Sequence, residues 1–93
     1  MSLVVSNENG TITVPESVLV EIAVRAAERV DGVKVRRRRA VDAENRTVRL
    51  AVSVHRGRPL LEAANGAQAE VVAAFKASCG FEPTVDVSIG ELE

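Results

Sequence analysis

The 93 residues suffice for one small domain, with 46 % hydrophobic positions, enough for a core that buries about 60 % of the unfolded surface. That core must be aliphatic: Phe75 and Phe81 are the two aromatics, so the stacking platforms usual in base- and sugar-binding proteins are missing. One cysteine and one histidine exclude an internal disulfide and argue against a conventional zinc centre, and no apolar run approaches the ~18–20 residues of a membrane span.

Residues 1–9 read as a mobile N-terminal arm with a short extended piece at Leu3–Val5. They lack the basic-then-apolar plan of a signal peptide. Asn9-Gly10 is a turn signal, and Thr11–Val14 is a short strand. Thr13-Val14-Pro15-Glu16 fits a capping box, with the Thr13 hydroxyl on an orphan helix amide and Glu16 reaching back. The first helix then runs to Val30, with Val18, Leu19, Ile22, Ala23, Ala26, Ala27 and Val30 at helical spacing on one face. Gly32 is its stop.

Val33 and Val35 open a second strand that runs into Arg36–Arg39 and then a loop over residues 40–46, where Asp42, Glu44 and Asn45 are turn formers. The third strand buries Val48, Leu50, Val52 and Val54. Its other face shows Thr47, Arg49, Ala51, Ser53 and His55, an alternation that leaves one sheet face in solvent. Gly57 and Pro59 lead into a second helix with an inner stripe of Leu61, Ala64, Gln68, Val71, Val72, Phe75 and Cys79. Asn65-Gly66 is its weak point, at a cost of about 1 kcal/mol relative to alanine. Gly80 ends the helix, Thr84–Ile89 alternates as a last strand, and residues 90–93 are an acidic tail.

The order βαββαβ predicts an α+β two-layer sandwich, with two helices on one face of a three- or four-stranded sheet. A ferredoxin-like split βαβ is the leading topology. The alternative detaches the first strand and leaves three. Residues 10–93 form the single domain behind the arm.

Little in the chain demands chemistry. The glycines are scattered and make no phosphate loop. His55 has no nucleophile and supporting acid near it in sequence, Glu62 and Glu70 read as solvated helix charges, and Cys79 reads as a small core residue. No catalytic, cofactor-binding or metal-ligating residue is assigned, and no cofactor or small-molecule substrate is expected.

Charge is the stronger signal. From Val33 to Pro59 nine basic residues stand against two acidic ones, a net +7. The rest of the chain carries three against eleven, a net −8. Such segregation speaks about partners. The candidate interaction patch is Arg36, Arg37, Arg38, Arg39, Arg46, Arg49, Arg56 and Arg58. It suits phosphates, or it is a solvated hairpin end that keeps an edge strand from pairing. Gln68 is the one polar residue of the inner stripe: a candidate partner contact, or an edge glutamine satisfied by a loop carbonyl.

Gly10-Thr11-Ile12-Thr13-Val14, Arg29-Val30-Asp31-Gly32-Val33, Arg56-Gly57, Gln68, and Gly80 ahead of Val85-Asp86-Val87-Ser88-Ile89 form an ordered set. Together they resemble the alkaline shock protein family, small envelope-stress proteins of Gram-positive bacteria, over roughly residues 9–92. The resemblance implies a non-enzymatic cytoplasmic protein that self-associates and is held near the inner face of the cell membrane by a small membrane-anchoring protein. Arg36–Arg39 and Asn65-Gly66 depart from that pattern. The expected function is a stress-response or envelope-associated scaffold and homo-oligomer. The alternative is an RNA- or other nucleic-acid-binding domain that uses Arg36–Arg39.

Overall fold

The computed structural model describes residues 2–92, with the side chains of Ser2, Arg37, Arg38 and Glu91 outside the description. In chain order these residues form β1 (Ser2–Asn7), β2 (Gly10–Pro15), α1 (Glu16–Ala27), β3 (Val33–Asp42), β4 (Thr47–Val54), α2 (Leu60–Cys79) and β5 (Thr84–Leu92). The fold is α+β. A three-stranded sheet has the order β3-β4-β5, and β1-β2 is a separate two-stranded hairpin.

The central strand shows why. Val48, Leu50, Val52 and Val54 alternate on one face of β4 and are at most 2 % exposed. Antiparallel β3 sets Val41 opposite Val48, Val35 opposite Val52 and Val33 opposite Val54. Parallel β5 adds Val85, Val87 and Ile89 opposite Val48, Leu50 and Val52. The two helices close the layer with Leu19, Ala23, Ala26 and Ala27 from α1, and Ala63, Ala67, Val71 and Phe75 from α2. Small alanines let α1 and α2 approach each other and the sheet closely. Full burial of each Val, Leu or Phe contributes on the order of 1.5–3 kcal/mol, so these valines, Leu19 and Phe75 hold the two layers together.

Several expectations change here. The first predicted strand does not join the main sheet, so the ferredoxin-like order gives way to the three-stranded alternative. Residues 2–7 are a strand rather than an arm, pairing from Ser2 opposite Pro15 to Asn7 opposite Gly10. Pro15, not Thr13, is the N-cap of α1 and makes no side-chain cap bond. Thr13 stays in β2, paired with Val4, so the capping box does not form.

Helix α1 ends at Ala27, and residues 28–30 are a turn whose amides bond back to Val24, Ala26 and Ala27. Strand β3 continues through Ala40 to Asp42 because Val41 has a buried place beside Val48. The turn is therefore residues 43–46, shorter than the predicted loop. The α2 stripe holds at Val71 and Phe75, both fully buried, but differs in the first turns: Ala63 and Ala67 face the core, while Leu61 is 78 % exposed. Gly80 ends α2 as expected, with φ +81° and its amide on the carbonyls of Lys76 and Phe75.

Candidate interaction surface

The arginines come from one sequence segment but fall into separate places. Strand β3 is an edge of the sheet, and the basic run sits mid-strand rather than at a hairpin end. Val35 pairs with Val52 and Arg39 with Leu50, so residues 36–38 face the single residue Ala51. This double insertion bends an edge strand that also carries Lys34 and Arg36–Arg39, and both devices discourage pairing by a like strand. The Glu28 carboxylate accepts the Val35 amide at 3.0 Å, covering part of the same edge.

Arg36 lies over the open face of the sheet and donates from Nε to Ser53 Oγ at 3.0 Å. Ser53 is 1 % exposed, so the arginine shields the one buried polar residue of β4. The side chains of Arg37 and Arg38 lie outside the described residues. Arg39 and Arg49 line one open groove of about 590 Å³, floored by Ala40, Ala51 and Ser88, with Asp86 on its wall. Arg49 and Asp86, paired across β4 and β5, are 3.9 Å apart and largely exposed. An exposed pair of this kind contributes no more than about 1 kcal/mol.

The other three arginines stand at the two ends of the sheet. Arg46, in the β3–β4 turn at φ +51°, places its guanidinium 5.0 Å from the Phe81 ring centre. Phe81 in turn meets Phe75 edge to face at 5.9 Å, and the Arg46 carbonyl accepts the Thr84 amide at 2.9 Å. Arg46 thereby ties the turn to the start of β5. Arg58, at the opposite end of β4, pairs with Asp31. Its amide bonds the His55 carbonyl at 3.2 Å, and the His55 amide bonds the Gly32 carbonyl at 2.8 Å. Arg56 is exposed in that same loop. Eight residues of strand separate the two ends, about 25 Å at strand rise. The eight candidates are therefore not one patch: Arg36, Arg39 and Arg49 belong to the sheet, while Arg46 and Arg58 are occupied in holding loops.

Gln68 bonds a carbonyl of strand β5 rather than one of a loop. Its Nε2 donates to the Val85 carbonyl at 2.7 Å, joining α2 to β5. His55 is exposed just beyond β4. Among the described residues no three His, Cys, Asp or Glu side chains converge as metal ligands, and no helix is long and apolar enough to cross a membrane. Burial raises the pKa of the Cys79 thiol above its ordinary value, which lowers its reactivity at neutral pH.

The hairpin was the part least legible in the sequence. Leu3 and Val14 pack on the core, whereas Val4, Val5 and Ile12 are 57 %, 38 % and 54 % exposed. The signal for it was present: two β-prone runs, Leu3–Val5 and Thr11–Val14, flank the Asn9-Gly10 turn dipeptide. Compared with protein-family models, curated proteins and solved structures, the chain finds no match in any of the three.

Proposed function

We propose that this chain is a non-enzymatic scaffold of the alkaline-shock kind: a cytoplasmic, envelope-associated stress protein that self-associates and takes protein partners near the membrane. The observation that carries this reading is the charge across the sheet. One edge strand, β3, bears Lys34 and Arg36–Arg39. The other, β5, bears Asp86 and Glu91. Opposite signs on opposite edges of one small sheet favour head-to-tail contact between copies, the basic edge of one meeting the acidic edge of the next. The bulge and the Glu28 cover on β3 make this a contact of side chains rather than a continued ladder.

The test is light scattering of the purified protein against salt. From ~0.05 M to ~1 M the Debye length falls to about 3 Å, and the mean particle mass should fall with it. Lys34→Glu/Arg39→Glu should give the small particle at every salt. Assemblies whose mass ignores both changes contradict the reading.

One observation favours a second reading. Arg49 stands on the uncovered sheet face in a groove that Arg39 also lines, where a phosphate of a single-stranded RNA would find a guanidinium. That face offers no aromatic for stacking, since Phe75 is buried and Phe81 lies beneath Arg46. An anisotropy titration with labelled single-stranded RNA separates the readings. Micromolar, steeply salt-dependent binding that disappears on neutralising Arg36–Arg39 would favour RNA.

A further inference from the structure

The β1-β2 hairpin is built in a way the rest of the molecule does not explain. A two-stranded ribbon is marginal in water by itself. Among the described residues Leu3 and Val14 pack it on the core, and it displays Val4, Val5 and Ile12. The molecule is correspondingly long, 50 × 21 × 17 Å, with a radius of gyration of 13.8 Å against about 12 Å for a compact chain of this size.

The strand edges differ sharply in charge. Two copies of β3 laid side by side would set arginine against arginine, and two copies of β5 would gather four carboxylates in one strand pair. Each of those strands also has a register break, between Val35 and Arg39 in β3 and beside Val52/Ser53 for β5. Strand β1 reads Ser-Leu-Val-Val-Ser-Asn, with no charge, no proline and an unbroken register. Strand β2 is equally neutral but ends in Pro15, which has no N–H to give. In charge, β1 is the edge compatible with its own copy.

We propose that β1 pairs antiparallel with β1 of a second copy about a two-fold axis at Val4, joining two hairpins into one four-stranded sheet. This deepens the self-association reading and rests on it. The axis stands perpendicular to the ribbon, so like faces meet and paired residue numbers sum to an even number. The two-residue turn closes on Asn7 and Gly10, which directs the amides of Leu3, Val5 and Asn7 to β2 and those of Ser2, Val4 and Ser6 outward. A sum of eight uses all three outward residues. Val4 exchanges hydrogen bonds with the partner's Val4, and Ser2 does so with the partner's Ser6.

The side chains agree with this register. Leu3 falls opposite the partner's Val5, so Val14, Leu3, the partner's Val5 and the partner's Ile12 form one apolar row across four strands. The two-fold axis makes a second such row. A slip of two residues toward the turns sets Leu3 against the partner's Asn7 and loses a hydrogen-bonded pair. The contact contains no ion pair, so it survives salt that dissolves head-to-tail assembly.

The test combines sedimentation at ~1 M salt, where the Debye length is about 3 Å, with disulfide trapping in a Cys79→Ala background. The expected particle at that salt is a dimer. Val4→Cys should form a disulfide-linked dimer on mild oxidation, because hydrogen-bonded antiparallel Cα atoms lie ~5.5 Å apart, within the ~4.4–6.8 Å a disulfide spans. Ser6→Cys should not, its copies being about 13 Å apart along the strands. Val4→Lys should weaken the dimer about tenfold or more while leaving the circular dichroism unchanged, since Val4 is outside the core. A high-salt dimer that ignores Val4→Lys and is not trapped by Val4→Cys overturns the hairpin pairing but keeps self-association. Assemblies at low salt that become monomers at ~1 M overturn it and leave the electrostatic contact. A monomer at every salt overturns both.

Discussion

Asp42 and Gly32 show how single residues fix the ends of the basic edge strand. The Asp42 carboxylate accepts the Asn45 side-chain amide at 2.7 Å and the Asn45 backbone amide at 3.2 Å. Those bonds, first the side-chain one, hold its pKa below the ordinary value of 3.8, with help from the Glu44 amide and the Arg49 charge. The pKa is depressed on folding, so the stabilisation is present above the unfolded value of about 3.9 and is lost as pH falls through the folded value. Asp42→Asn should therefore lower the thermal midpoint at pH ~7, by a deficit that shrinks as pH falls below about 3.9 and through the folded value. Gly32, at φ +86°, is a different constraint. An added Cβ there meets Arg58 Cγ at 3.1 Å, whereas at Gly80, φ +81°, it meets nothing. Both alanine variants incur the left-handed penalty of about 1–2 kcal/mol. Gly32→Ala should cost more in denaturant unfolding, because it also displaces the Arg58–Asp31 pair.

Among the elements, α2 and the hairpin mark what could and could not be read from sequence. The valine alternation of β4 named its buried face correctly, because a period of two admits only two answers. The α2 stripe is right at Val71 and Phe75 and wrong in the first turns, because an alanine-rich segment gives weak contrast: Ala63 and Ala67 are buried while Leu61 is not. Helix Gly66 looked like a weak point and has a packing role. Its absent Cβ would lie 3.3 Å from Val30 Cγ2, so the glycine lets the turn after α1 approach α2. Gly66→Leu should cost about 1–3 kcal/mol by overpacking, despite the better helix propensity of leucine. Phe75→Ala should cost about 3–5 kcal/mol, since Phe75 is fully buried and carries the edge contact to Phe81. Chemical denaturation reads both. The arginine patch was half legible. Charge counting finds the run, but a double insertion in a strand and a turn that claims Arg46 for Phe81 are decided by long-range pairing, which periodicity does not carry.

The whole molecule is a small sheet with a positive and a negative edge, plus a hairpin whose two strands are uncharged. Under the two proposals, each feature gives a different mode of contact with its own salt response. Edge-to-edge contact is open-ended and dissolves as charges are screened. Hairpin pairing is two-fold, closed and indifferent to salt. Alternating the two would chain dimers into longer assemblies at low ionic strength and return dimers at high ionic strength. The most direct test is sedimentation velocity of the full chain from ~0.05 M to ~1 M salt, where the Debye length shortens to about 3 Å. The account predicts large, polydisperse species at low salt that converge on one dimer at high salt. A monomer across the whole range would contradict it.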